Sequence, residues 1–246
     1  MKDDSEKRSD FKNNAPREAR PAREPAAGAV IGRNAVRELL KSGREIDKVL
    51  VRRGDREGSI VVLIAQAKQA GIPVIEVERN KLEELSGGSN HQGIIAMAAE
   101  KSYCSVEDIL GIAEQRGEAP LIVIADGITD PYNLGTLIRC AEGVGAHGLI
   151  IPKRRASGLT PLVTKASAGA VEHLAIAKVP NISAAIEELK SHGVWVYGAE
   201  VGGQRHRADR AVLDLYPLVA EHDIRDAVFD VQLAARRHRR LMKIIA

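Results

Sequence analysis

Five apolar residues in a row, Leu121-Ile-Val-Ile-Ala125, bracketed by Ala119-Pro120 and Asp126-Gly127, constrain this chain more than any other stretch. A strand without polar alternation has no solvent face, so it belongs in a parallel sheet covered on both sides by helices. Parallel neighbours need crossover helices, and the following sequence supplies them. Its periodicity predicts a helix at about residues 134–144, a strand at 148–151 and a helix at about 161–168. A strand near 173–179, a helix at 182–192 and a strand at 194–198 follow. That alternation predicts an α/β unit of the doubly wound kind.

A smaller unit precedes it. Residues 34–41 space Val36, Leu39 and Leu40 as a helix does, KVLVRR at 48–53 is a short strand, and SIVVLIAQAKQA at 59–70 is a helix ended by Gly71. IPVIEV at 72–77 and QGIIAMAA at 92–99 read as strands, with a short helix at 80–85 between them. Residues 30–100 thus form a compact α/β domain, and 101–120 a linker whose Ser105-Val-Glu-Asp108 resembles a helix capping box. Residues 1–29 mix charges, Asn and Pro with little that is apolar, and are expected to be a disordered tail that solubilises the chain or tethers RNA weakly.

Composition removes several classes of function. No run nears the roughly 18 apolar residues of a membrane span, and Met1 to Asp10 is too charged for a signal peptide, so the expected location is the cytoplasm. Cys104 and Cys140 make no Cys-x-x-Cys pair, and the histidines show no H-E-x-x-H spacing, so no metal is expected. Cys140 reads as a core thiol. Dinucleotide and P-loop glycine turns are absent, as is a G-x-S-x-G elbow, which sets aside dehydrogenases, kinases and serine hydrolases. Aromatics are only 3% of the chain, so a nucleic-acid surface here must use cations, amides and shape. The net charge of +3 sits wholly in Arg205–Ala246, with 9 Lys and Arg against 6 Asp and Glu.

The chemistry-bearing stretches follow the strands of the second unit. DGITDPYNLGTLIR, at 126–139, lies just past the carboxyl end of the first buried strand, where open α/β sheets place their ligands. Within it Asn133 reads equally as a helix N-cap, and Arg139 as a surface partner of Glu142. Lys153, Arg154 and Arg155 follow the next strand and precede a helix start, an arrangement that suits phosphate or forms a solvated loop. TKASAGA at 164–170 is rich in small residues and allows close backbone packing. His91, at a strand start, reads as a turn residue or as an RNA contact.

DGITDPYNLGTLIRCAEGVG and the following HGLIIPKRRASGLTPLVTKASAGAVEHL closely resemble the SpoU/TrmH family of RNA 2′-O-ribose methyltransferases. The resemblance extends back through Ile31-Gly-Arg-Asn-Ala-Val36 and His91-Gln-Gly93, and forward to Gly193-Val-Trp-Val-Tyr-Gly198, covering roughly residues 30–203. It is nearest to the subgroup that methylates a guanosine ribose in 23S ribosomal RNA. What it implies is a ribosomal-protein-like RNA-binding domain at 30–100, then a SPOUT domain of trefoil-knot type from 121 to 203. It also implies a homodimer and S-adenosylmethionine as methyl donor. Asn133 and Arg139 then occupy the catalytic motif, with Arg139 near the target ribose. Arg33, Asn34, His91 and Gln92 become RNA contacts, and Lys153, Arg154 and Arg155 take phosphates. No residue is assigned to hold the donor.

After Gly203 the sequence leaves the family pattern. The family continues with G-S/N-E-G-x-G and I-P-M-x-G-x-x-x-S-L-N-x-S-x-A segments that build the donor pocket and the knot, and residues 204–246 contain neither. That segment is basic, with helical spacing of Val231, Ala234, Ala235, Leu241 and Ile245. The knot is therefore expected to be missing or altered. The alternative function is a non-catalytic RNA-binding protein or an inactive remnant of a methyltransferase.

Overall fold

The computed structural model describes residues 23–55 and 58–196 of the chain. Two sheets organise them. The first begins with β1 (Ala29–Ile31), followed by α1 (Arg33–Ser42), β2 (Ile46–Arg52), α2 (Ser59–Gln69), β3 (Val74–Val77), α3 (Arg79–Leu85) and β4 (Ile94–Ala98). Its strand order is β1-β4-β2-β3, antiparallel at β1–β4 and β2–β4 and parallel at β2–β3. Alternate residues of the strands serve opposite faces. Val30, Val49, Val51, Ile94 and Ala96 pack under Val36, Leu39, Ile60 and Leu63 of α1 and α2, whereas Ile31, Leu50 and Ile95 meet Leu82 of α3. The three-residue β1 carries too little alternation to be read from sequence. Its existence depends on pairing Ala29, Val30 and Ile31 with Met97, Ala96 and Ile95.

Ahead of β1, Ala26 donates its amide to the Leu85 carbonyl at 2.9 Å. Residues 1–22 and 204–246, and with them the tail and knot expectations, lie outside the described residues.

The linker carries α4 (Val106–Arg116), capped as the spacing predicts: Ser105 Oγ accepts from the Asp108 amide at 3.1 Å, and Asp108 accepts from the Ser105 amide at 2.9 Å. The second sheet then runs β5 (Ile122–Ile124), α5 (Pro131–Gly143), β6 (Gly148–Pro152), α6 (Pro161–Ala166), a 3-10 turn at Ala170–Glu172, β7 (Ala175–Val179) and α7 (Ile182–Ser191). All its strand pairs are parallel. Helices cover both faces, as the unbroken apolar run at residues 121–125 requires. Val123, Ala125, Leu149 and Ile176 pack with α5 and Val163, while Ile122, Ile124, Ile150 and Ala177 pack with α4 and α7. The order β5-β6-β7 is a straight succession, so the described residues show no reversal of strand order of the kind a doubly wound sheet has. A strand expected at 194–198 is not formed at Val194, Trp195 and Val196, and its last two positions lie outside the described residues.

The two units touch through α1. Glu38 Oε2 lies 3.0 Å from His173 Nε2, and Gly169 comes so close that a Cβ there would meet the Glu38 Cβ at 2.7 Å. Beside them Arg44 Nη1 stands 3.1 Å from the buried Glu172 Oε1, and Lys101 donates to the Glu172 carbonyl at 3.1 Å. Strand β1 rests on α6.

Candidate functional site

Two clusters hold the residues that the sequence singles out. The first surrounds the start of α1. Gly32, the residue before the helix, has no side chain to cap it, and Gln92 from across the sheet takes that part: its Oε1 accepts from the Arg33 amide at 2.9 Å. Arg33 Nε donates back to the Gln92 carbonyl at 3.0 Å, and Gln92 holds a φ of 53° with its amide bonded to Asn90 Oδ1 at 3.2 Å. His91 Nδ1 accepts from the Gly93 amide at 3.0 Å, leaving the ring proton on Nε2. Burial pushes the His91 imidazole below its usual value, and Arg79, Arg52 and Lys165 add to that against the opposing pull of Glu83. Asn34 is exposed one residue into α1 and accepts from Arg37 Nη1 at 3.1 Å.

Arg33, His91 and Gln92 line one open concavity of about 1270 Å³. Sequence reasoning missed several of its other walls. Arg52, Asp55, Arg79 and Asn90 also line it, with Arg52 3.3 Å and Arg33 3.8 Å from Asp55 Oδ2. Asp55 lies in a loop, where no periodicity marks it. Arg52 and Arg79 sit at the end of a strand and the start of a helix, and only the tertiary fold brings those ends together.

The second cluster lies at the carboxyl ends of β5 and β6. Asp130, not Asn133, caps α5: its Oδ1 accepts from the Asn133 amide at 2.8 Å, with Pro131 in the first helical turn. Asn133 is thereby one turn inside the helix, with its side chain exposed. Arg139 is also exposed on α5, and the expected pair with Glu142 is not formed; among the described residues Arg139 has no ion-pair partner. Lys153, Arg154 and Arg155 are exposed in the loop after β6, and none pairs with a described carboxylate. The loop is anchored at three points: Lys153 donates its amide to Val179, Ser157 to the Ile128 carbonyl at 2.8 Å, and Leu159 to the Tyr103 hydroxyl at 3.0 Å. The Ser157–Ile128 bond makes the loops after β5 and β6 one continuous rim.

Helix α5 is locked to α6 at Gly135. A Cβ there would collide with Ala166 and lie 2.9 Å from both the Ser167 nitrogen and the Val163 oxygen. The small residues of TKASAGA thus serve close helix packing. Cys140 is partly buried in α5. Among the described residues no group of His, Cys, Asp and Glu could hold a metal ion, and no helix is long and apolar enough to cross a membrane.

The geometry therefore comprises a guanidinium-lined concavity on one unit and, on the other, a rim of strand-end loops with a basic run, followed by a helix on which Asn133 and Arg139 are exposed. Comparison with known proteins finds a match for each of the two units. Residues 29–104 match the family described as RNA 2′-O ribose methyltransferase substrate binding, and residues 120–219 match the SpoU rRNA Methylase family. The TrmH family tRNA/rRNA methyltransferase YacO of Bacillus subtilis is 43% identical over 175 residues, 71% of this chain and 70% of that protein. A TrmH family tRNA/rRNA methyltransferase of Staphylococcus haemolyticus is 37% identical over 182 residues, 74% of this chain and 73% of that protein. Among solved structures, AdoMet-bound rRNA methyltransferase from Sinorhizobium meliloti superposes with a TM-score of 0.60 at 22% identity, over 88% of this chain and 69% of that one. AviRb from Streptomyces viridochromogenes, solved in complex with AdoMet, gives 0.61 at 18% identity, over 89% and 73%. Those two likenesses establish the fold. The two family matches and the sequence identity to the bacterial relatives show that this chain belongs to the SpoU/TrmH family of tRNA/rRNA 2′-O-methyltransferases.

Proposed function

We propose that this chain transfers the methyl group of S-adenosylmethionine to the ribose 2′-hydroxyl of a guanosine in 23S ribosomal RNA, as a cytoplasmic homodimer. The single observation that supports it most is that Asn133 and Arg139 are both exposed on α5, the helix that follows β5, within the stretch that matches the methylase family. The domain at residues 30–100 binds the RNA, through Arg33, Asn34, His91 and Gln92. Residues 121–203 carry the transfer. Gln92 contributes mainly by form, since its carbonyl oxygen already caps α1.

The described residues supply one wall for the donor. The rim tied by Ser157 and Ile128 carries backbone carbonyls and the exposed Asp126 carboxylate, groups whose charge suits a sulfonium. That set fits the positive charge of the group. When bound, S-adenosylmethionine supplies an electrophilic methyl carbon. A guanidinium is a donor and not a base, so Arg139 orients the 2′-oxygen and stabilises the negative charge that grows on it as the hydroxyl proton passes to solvent water. Asn133 holds the ribose edge, and Lys153, Arg154 and Arg155 fix the neighbouring phosphates, so the oxygen lines up with the methyl carbon.

Methyl transfer from labelled S-adenosylmethionine to large-subunit ribosomal RNA tests the reading. Arg139→Ala should lower kcat at least a hundredfold, in the range of a lost transition-state donor, while RNA affinity changes less than twofold. The reverse pattern, weak RNA binding with normal turnover, would remove Arg139 from the chemistry. The match to the methylase family runs past Gly203 to residue 219, whereas the pocket-building segments expected of the family are not found in the sequence of residues 204–246, so calorimetric titration with S-adenosylmethionine is the companion measurement. One-to-one binding supports the methyltransferase reading. A folded protein that binds RNA but no donor would be a non-catalytic RNA-binding member of the family.

A further inference from the structure

Lys165, in the last turn of α6, has surroundings unlike those of the other cations near the concavity. Arg33 and Arg52 share Asp55, and Arg79 pairs with Glu83 at 2.7 Å. Lys165 has no carboxylate partner among the described residues, yet it is partly buried. Burial alone pushes its ammonium below the usual lysine value, with no opposing acidic neighbour. A cation held out of water without a counter-ion is costly unless a ligand supplies the missing charge.

Its position indicates which ligand. Helix α6 lies against β1, the strand leading into Gly32 and Arg33, and Lys165 is close enough to His91 to act on it electrostatically alongside Arg79 and Arg52. The lysine therefore stands on the second unit within electrostatic range of the concavity's His91, on a helix packed against the strand that leads into Arg33. The concavity itself carries Arg23, Arg33, Arg52 and Arg79 against three carboxylates, an excess that suits an anionic strand, and Lys165 adds a further cation within electrostatic range of His91 in its wall. At that same end of the short helix, Ala166 and Ser167, directly after Lys165, pack against Gly135 of α5, one turn before Arg139.

We infer that Lys165 binds a phosphodiester of the RNA strand held in the concavity, as the methyltransferase domain's own grip on that strand. This rests on the RNA reading proposed above. The interaction makes Lys165 a positioning residue: α6 and the α5 helix that carries Arg139 are packed as one body, so a phosphate fixed at Lys165 is fixed relative to Arg139.

The experiment is fluorescence anisotropy of the full chain with a labelled single-stranded oligoribonucleotide of ribosomal sequence, across a salt series. Lys165→Ala should weaken binding several-fold and reduce the salt slope by about 0.7, the value for neutralising one phosphate fewer on a single strand. Lys165→Arg should restore the slope. The unfolding midpoint of Lys165→Ala should hold or rise, since a half-buried uncompensated charge is gone, whereas a structural lysine would lower it. Should Lys165→Ala not fold, Lys165→Gln, which keeps most of the stem, carries the same test. An unchanged slope in a folded variant, while Lys153→Ala/Arg154→Ala/Arg155→Ala still weakens binding, overturns the inference and leaves the RNA reading standing. Failure of the unmodified protein to bind RNA overturns both.

Discussion

His147 is buried at the start of β6 with both ring nitrogens engaged. Nδ1 accepts from the Leu121 amide at 2.9 Å, and the proton on Nε2 points to Glu118 Oε2 at 3.0 Å. Burial outweighs the pull of Glu118 and holds the imidazole below its usual value of about 6.5. Between the folded value and that usual one, the unfolded chain binds more protons than the native one, so stability is present above the window and is lost as pH falls through it. The unfolding midpoint should therefore drop between pH 7.5 and pH 5.5, and His147→Asn should flatten that drop. His91 shifts in the same direction for the same leading cause, so a residual slope is expected in the variant. Asp130 gives a second test, independent of pH: Asp130→Ala removes the α5 cap and should cost about 1 kcal/mol in chemical denaturation. Sequence alone could have identified it, because an acidic residue directly before Pro131 is a helix start with its cap already in place. Asn133 drew attention instead because it too has a capping side chain, and the two differ only in where the first helical turn begins.

At the scale of elements, packing of α5 on α6 is the most sensitive joint. Gly135→Ala should destabilise the protein by about 1–3 kcal/mol, measured by urea denaturation, because the nearest obstacles include backbone atoms of Val163 and Ser167 that cannot rotate away. Most elements were legible from periodicity. The helices at 33–42, 59–69 and 182–191 show apolar spacing, and residues 122–124 are apolar throughout, so local sequence and tertiary burial agree. Where they diverge the reading failed. β1 is too short to carry a pattern and owes its form to β4. The concavity was legible only at His91-Gln-Gly93 and at Arg33, while Asn34, singled out with them, does not line it. Arg52, Asp55 and Arg79 reach it from three separate elements, and their convergence is a property of the sheet order, which no window of sequence contains.

For the molecule as a whole, the junction between the two units has one bond-rich and one strained part. Glu38 would be raised by burial, but hydrogen bonds from Lys41 and His173 outweigh that and hold its carboxyl below the usual value. Glu172 is raised by burial, against the pull of Arg44 and Lys101. Arg44 is near enough to attract it but off the angle for a hydrogen bond, so Arg44 Nε and Glu172 Oε1 both lack a hydrogen-bond partner among the described residues. Arg44→Ala should therefore destabilise by about 3 kcal/mol, since it strips a buried carboxylate of its main counter-charge. Adding Glu172→Gln should recover part of that loss, which a double-mutant cycle on unfolding free energies will show.

Helix α1 takes part in both places. Its first residue, Arg33, faces the concavity, and Glu38, five residues on, meets His173 on the other unit. Ten residues of α-helix span about 15 Å and hardly bend over that length. The helix therefore behaves as a gauge block: it converts the seating of one domain on the other into a fixed offset between Arg33 in the concavity and the unit whose α5 carries Arg139. Sequence drift in the loops can change what is gripped, but the offset changes only if this helix gains or loses residues, and each such residue would step it by about 1.5 Å and turn it by roughly a quarter revolution.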